Sequence, residues 1–259
     1  MPPAGEQMRL ALVGRVLAAL AVLFGAAPAS AGAPAADDPT ATVQGSPGQL
    51  ARKARSEARL TKEGVPFIAW LPVVEDEGDY RSRSTEEIVA RAFALTLVAY
   101  KATSGDYEGA NRAWAEAGAR VTFTEAEAEF LRDPSPPEEA VIHFSWQSEA
   151  ALPLFWFLGY VDELDRPETE LDPGPMEALI ARRSFDELVS GARPRTAAAL
   201  LDVLDLTYRY HWAARQAGLD NEPPPAGLDP EILMERHKAL NWLVRYNDDA
   251  SWDDVTTDT

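Results

Sequence analysis

The sequence predicts a mainly α fold, a single compact multi-helix domain with at most one or two short extended segments. Three observations carry this. Ser84-x-x-Glu87, Thr124-x-x-Glu127 and Ser184-x-x-Glu187 are capping boxes, in which a hydroxyl accepts an orphan amide at a helix start and the glutamate returns the bond. The apolar residues after them recur with helical rather than alternating period. Proline-rich breaks separate these stretches, and no strands alternate with helices.

The first residues form a targeting segment. Met8 and Arg9 precede the apolar run Val16 to Ala27, and Pro28 leads to Ala29-Ser30-Ala31. A basic start, a short apolar core and an A-x-A site make a secretory signal peptide over residues 1–31, cleaved after Ala31. About a dozen apolar residues fall short of the roughly twenty that span a bilayer, which argues against an uncleaved anchor. The expectation is an exported protein, periplasmic or secreted, with no stable membrane insertion after cleavage. Glu6 is unusual in such a segment, so translation from Met8 is the alternative to Met1. Residues 32–46, rich in alanine and proline, read as a flexible leader. Residues 47–259 then form one helical domain, within the usual size range.

Pro47 to Glu63 carries Leu50, Ala54, Ala58 and Leu60 and can end at Gly64. Phe67 to Leu71, between Pro66 and Pro72, is too short for a buried helix and reads as an extended segment lying on the core. The box at Ser84 opens a helix with Ile88, Ala92, Leu95 and Ala99 on one face. Thr124 opens a shorter helix ending near Leu131, followed by a loop from Asp133 to Pro137. Phe144 to Leu164 is the most apolar stretch outside the signal segment and belongs at the centre of the fold. Pro153 inside it bends the helix or marks its first turn. After the loop from Arg166 to Pro175, short helices cover Met176 to Ala181 and Ser184 to Val189. Thr196 to Leu219 and a helix capped by Asp229 with Pro230 first close the domain. The rest of the chain reads as helices packing around this closing pair. In the tail, Trp252 and Val255 suit a segment that folds back and inserts its indole into a groove formed by Trp242, Tyr246 and the helix bearing Trp212. The aspartates around Trp252 are then expected to meet helix-start amides or arginines such as Arg236, and Thr259 to be nearly free.

The closing blocks carry a resemblance. Leu201-Asp202-x-x-Asp205-Leu206-x-Tyr208-Arg209-x-His211-Trp212-Ala213, then Glu235-Arg236-His237-x-Ala239-Leu240-Asn241-Trp242-Leu243, then Trp252-Asp253-Asp254-Val255-x-Thr257-Asp258-Thr259 together resemble the bacterial domain-of-unknown-function family 4272. Leu71-Pro72, Glu86-Glu87-Ile88, Thr124-x-x-Glu127 and Trp146-x-x-Glu149 leading to Phe155-Trp156 fit the same pattern. The resemblance covers nearly all of the chain after the leader and implies an uncharacterised domain without implying a chemistry. The exported leader departs from the plain soluble domain associated with this family.

Two of the three histidines and three of the seven tryptophans fall in the last 64 residues. There Asp202, Asp205, Arg209, His211, Glu235 and His237 are the candidate catalytic residues, and His211, His237 and Glu235 the candidate metal ligands, since carboxylate plus imidazole suits zinc, manganese or iron. The competing reading is a buried hydrogen-bond and ion-pair network that fixes helix docking. Glu235 and His237, two residues apart, leave different sides of a helix, and no His-Glu-x-x-His occurs. Asp248, Asp249, Asp253, Asp254 and Asp258 lack the glycine and terminal glutamate of a calcium loop. His143 reads as a helix-start residue. Glu149, on an apolar helix, must be paired or protonated. Phe155, Trp156, Phe157 and Tyr160 read as core.

No G-x-S-x-G elbow, cysteine nucleophile, phosphate-cradling glycine loop or dinucleotide fingerprint is present, so no cofactor is implied by motif. A net charge of −18 disfavours nucleic acid and anionic lipid. It gives a solvated acidic surface, with an acidic patch for a cationic partner as the alternative. The sequence thus supports two functions: a non-catalytic envelope or secreted interaction module with an unidentified protein partner, or a metal- or carboxylate-dependent hydrolase outside the cytoplasm.

Overall fold

Thr85–Ser104 is buried almost all round, and most of the other helices contact it. The computed structural model describes residues 43–249 and 251–259; the expected signal peptide and cleavage site and most of the expected leader lie outside them. In chain order the helices are α1 (Pro47–Glu63), α2 (Thr85–Ser104), α3 (Tyr107–Ala117), α4 (Glu125–Arg132), α5 (Glu138–Ser145), α6 (Gln147–Phe157), α7 (Gly174–Arg182), α8 (Phe185–Gly191), α9 (Ala197–Leu219), α10 (Pro230–Leu243) and α11 (Tyr246–Asp249). No strand occurs among the described residues. The fold is a single mainly α domain.

The sequence suggested one apolar face for α2. In fact Val89, Phe93, Ala94, Leu97 and Val98 are buried as well as Ile88, Ala92, Leu95 and Ala99, so α2 is central, while the closing pair packs on itself, with α10 against α6 and α9 against α1. The buried polar side chains along it each find a partner, although Arg91 Nε itself has none. Thr96 Oγ1 returns a bond to the Ala92 carbonyl at 2.8 Å. Lys101 Nζ donates to the carbonyls of Phe130, Leu131 and Asp133, meeting orphan acceptors at the end of α4. Arg91 pairs with Glu127 on α4.

All three capping boxes form, and Ser46 with Gln49 makes a further one at α1. The stretch from Phe144 to Leu164 is not one helix. It is shared between α5 and α6, and the chain leaves the helical path after Phe157. Pro153 lies inside α6. The exit turn needs Gly159, at φ +79°, where an added Cβ would lie 2.7 Å from the Arg193 carbonyl. Arg195 then binds the carbonyls of Trp156, Val161 and Asp162, so the end of α6 is finished by a residue from the loop just before α9. Helix α3 has no counterpart in the sequence reading. Its signals are Asp106, whose carboxylate accepts from Gly109 N, and the partly apolar run that follows.

The extended reading of residues 67–71 holds in part: the segment is irregular, with a turn in which Leu71 N meets the Ile68 carbonyl at 3.3 Å. Two buried cations fasten it. Lys53 Nζ donates to the Leu71 carbonyl at 2.8 Å, and Arg209 Nη2 to the Pro72 carbonyl at 3.1 Å.

The tail is docked. Trp252 and Val255 are buried, and the Trp252 ring stands edge-on to Trp242 at 5.9 Å. Arg91 and Lys238 lie over the Trp252 ring at 4.8 and 5.0 Å. The expected partners of the tail change, however. Arg236 is engaged with Glu149, while Asp254 takes the Ser251 hydroxyl and Asp258 the hydroxyls of Tyr246 and Thr256. Thr259 is not free: it accepts from Arg215 through its carbonyl and hydroxyl oxygens. Trp252→Ala removes a buried indole and its contact with Trp242, and should lower stability by about 3–5 kcal/mol. A denaturant melt measures this, with faster amide exchange over residues 251–255 as the local readout.

Candidate functional site

The structure separates the residues singled out in the closing helices into four groups. Thr196 caps α9 by accepting from Ala199 N, and Asp229 caps α10 by accepting from Glu231 N and Ile232 N. These caps set the start of each helix and therefore which side chains meet.

Asp205 and Arg209 form the first group. They are four apart on α9, and Nε and Nη2 of Arg209 bind the two carboxylate oxygens at 2.9 and 2.7 Å. Exposure is 0% for Asp205 and 1% for Arg209, so the pair is fully removed from water. Its remaining bond is to the Pro72 carbonyl, and Nη1 has no partner. A forked, fully buried pair of this kind is a docking element. Arg209→Ala strands a buried carboxylate and should cost about 3–5 kcal/mol, whereas the double variant Asp205→Ala/Arg209→Ala should cost less than the sum of the singles. Unfolding midpoints of the three proteins test this.

His211 and His237 form the second group. Their Nδ1 atoms are 3.0 Å apart, with the rings at 89° and Tyr208 against His237 at 5.7 Å. One Nδ1 must carry the shared proton and the other must accept it. Burial holds His211 down at about 4, with the nearby Arg215 charge adding to it. Burial and then the His211 charge hold His237 at about 3. A first added proton leaves the Nδ1–H···Nδ1 bond intact, while a second destroys it.

Glu235 points elsewhere. It is buried and accepts from Gln147 Nε2 on α6 at 3.2 Å. Burial, incompletely offset by Lys238 and Gln147, pushes its carboxyl up to about 7. Beside it Glu149 on α6 accepts from Nε and Nη2 of Arg236 at 2.9 and 2.8 Å and from Leu171 N at 2.8 Å. Burial raises Glu149 and these partners oppose the rise. Glu149 is thus the paired carboxylate that its place on an apolar helix demands.

Asp202 belongs to none of these. It lies near the surface between Arg52 Nε at 3.1 Å and Arg55 Nη2 at 2.5 Å. It borders a small cavity of about 150 Å³ with Ser56, Arg59 and Leu206. Among the described residues no three His, Cys, Asp or Glu side chains are placed to hold a metal ion. The two histidines meet each other, but Glu235 is bonded to α6.

A larger cleft, of about 350 Å³, opens between the start of α2, residues 122–124, the end of α10 and the tail. Ala90, Phe123, Trp242 and Trp252 give it apolar walls, Arg91 contributes to its floor, and Glu87 and Asp253 stand at its edges. Thr122, Thr124 and Ser251 complete it. Sequence reasoning missed this cleft, having read Glu127 only as a capping residue. Glu127 also binds Arg91. The available signal was Arg91 itself, a cation within an apolar helix that needs an acid from elsewhere in the chain.

A family model described as "Domain of unknown function (DUF4272)" matches residues 52–255. The chain belongs to the DUF4272 family. No curated protein and no solved structure matches it. For this DUF4272 chain the match spans every residue group just described, so the buried pairs and the cleft all lie within the family domain.

The histidine pair and Glu235 impose opposite pH slopes. The histidines' folded pKa values lie below 6.5, so their contribution to stability is present above about 6.5 and lost as pH falls toward 4 and 3. The folded value of Glu235 lies above 4.5, so its contribution is present below 4.5 and lost as pH rises toward 7. Glu235→Gln removes the opposing limb. Its stability should climb more steeply than the parent's between pH 4.5 and 6.5, as read from denaturant midpoints across that range.

Proposed function

We propose that this protein is a non-catalytic interaction module, exported to the envelope or medium, whose binding surface is the Trp242–Trp252 cleft. One observation carries the reading. Asp205, Arg209, His211, Glu235 and His237 are all buried and each is bonded to a neighbour within the protein. None of them lines the 350 Å³ cleft or the 150 Å³ cavity. A hydrolytic site needs its acid, base or metal-bound water within reach of substrate. Groups sealed against one another fix helix docking instead. The cleft supports the binding half of the reading, since it falls within the size range of ligand sites and joins apolar walls to a few polar groups.

Export rests on the apolar run from Val16 to Ala27 and the Ala29-Ser30-Ala31 site. No helix among the described residues is long and apolar enough to cross a membrane.

Metal analysis and N-terminal sequencing of the exported protein test both halves. The expected results are metal well below one equivalent and an N-terminus at Gly32. His237→Ala should lower the unfolding midpoint without removing any metal. One equivalent of zinc, manganese or iron, lost in His237→Ala, would overturn the binding-module reading in favour of a hydrolase, and an intact Met1 or Met8 would overturn export.

A further inference from the structure

We propose that Arg183 and Arg193 form a binding site for a phosphate group. Neither residue lines the Trp242–Trp252 cleft, so the proposal goes beyond the interaction reading and does not depend on it.

Three parts of the chain meet here: the end of α7, the link from α8 to α9, and the exit turn after α6. Arg183 directly follows α7, and its guanidinium lies over the Tyr160 ring at 5.5 Å. Tyr160 is half-buried and donates its hydroxyl to the Leu188 carbonyl on α8, which fixes the ring as a platform. Gly191 ends α8 close by. A Cβ added there would lie 2.9 Å from the Tyr160 hydroxyl and 3.4 Å from Arg183 Nη1. Arg193 reaches the same turn. Its Nη1 donates to the carbonyls of Ser190 and Ala192 at 3.1 and 2.7 Å, and its backbone N–H donates to the Leu158 carbonyl at 2.8 Å. Two guanidiniums therefore come together at residues 190–192, each positioned by protein contacts.

Their charges are not cancelled. Both arginines are exposed, and the acids around them are engaged elsewhere. Asp186 pairs with Arg120. Glu187 accepts from the backbone N–H and the hydroxyl of Ser184 in the cap of α8, and the Arg183 charge reaches it without an ion pair. Asp162 and Glu163, also exposed, follow Tyr160 along the chain and pair with neither arginine. The Nη1 group of Arg193 is spent on neutral carbonyls, which leaves its charge intact and its Nε–Nη2 edge for a ligand. Arg183 makes no hydrogen bond among the described residues, so its edges are open too.

One guanidinium edge satisfies a planar carboxylate. Two edges from separate segments suit an anion whose oxygens point in several directions, and two positive charges match a phosphate monoester, which carries close to two negative charges at neutral pH. The net charge of −18 opposes extended polyanions and anionic surfaces. Salt at physiological strength screens that field beyond about 8 Å, so for a single small phosphate the two adjacent guanidiniums decide.

The test uses the full exported chain near neutral pH and three probes: inorganic phosphate, glycerol phosphate and acetate. Binding is followed through the Nε–H resonances of Arg183 and Arg193 and the amide resonance of Gly191. Both phosphates should shift all three signals at millimolar concentration, and acetate should bind several-fold more weakly. Arg183→Gln and Arg193→Gln should each weaken phosphate about two- to fivefold, the range of one exposed charge pair. The double variant should melt close to the parent, since both side chains are exposed, and should lose the phosphate shift at Gly191. Tighter binding of glycerol phosphate supports the site with an esterified phosphate as its ligand, and tighter binding of inorganic phosphate supports it with the free ion. Equal binding of acetate overturns the phosphate assignment. Silence of all three signals with both phosphates, or a Gly191 shift that persists in the double variant, overturns the site.

Discussion

The guanidinium of Arg209 has no route to solvent, and the positions of three parts of the chain follow from that. Its two bonds to Asp205 hold the charge within α9, and a third fastens the Pro72 carbonyl. An isolated cation at this depth would be prohibitive, so α9 can be buried here only with Asp205 and the 65–84 connection in place. Lys53 on α1 grips the neighbouring Leu71 carbonyl in the same way. The irregular segment is thereby ordered by cations on two helices, although it has no regular backbone ladder of its own.

The same device recurs between other helices. Arg91 with Glu127 joins α2 to α4, Arg236 with Glu149 joins α10 to α6, and Lys101 closes the end of α4. Arg236 also reaches the Asp165 carbonyl at 2.7 Å, which ties the loop after α6 to α10. Buried pairs of this kind add little net stability over apolar packing, yet a misaligned helix would leave them unmatched. In this domain they select one arrangement from the many that apolar helices allow. The histidine pair between α9 and α10 contributes through a neutral bond and adds no charge to the interior near neutral pH.

The cleft arises where this packing ends. Arg91 is shared between Glu127 and the face of Trp252, so the ion pair that docks α4 also supports the indole of the tail. Asn241 Nδ2 holds the Thr256 carbonyl at 2.8 Å, and Asn247 Nδ2 the Thr256 hydroxyl at 2.9 Å. Backbone conformations at φ +60° and +55° in Arg245 and Asn247 turn the chain from α10 toward that position. Such left-handed conformations at residues other than glycine carry a modest cost, offset here by the burial of Trp252 and Val255. The result is a wall of the cleft made from Ser251, Trp252 and Asp253, in a stretch that composition alone marks as a polar tail.

The sequence by itself determined the helical class, most helix starts and the burial of the tail tryptophan. It did so because caps and apolar periods act over three or four residues: Ser84 with Glu87, Thr124 with Glu127, Asp229 with Ile232. It also showed that Glu149 must find a partner and that Asp205 and Arg209 can pair, the latter because they lie one turn apart. Only the tertiary structure decided that α2 is central, that Glu149 meets Arg236 87 positions away, and that Glu235 turns to Gln147 rather than to the histidines. It likewise decided that Thr259 is held by Arg215 and that residues 122–124 face the tail across a cleft. Those pairings depend on which helix faces meet, and facing is set by summed packing over the whole core rather than by any local run of residues.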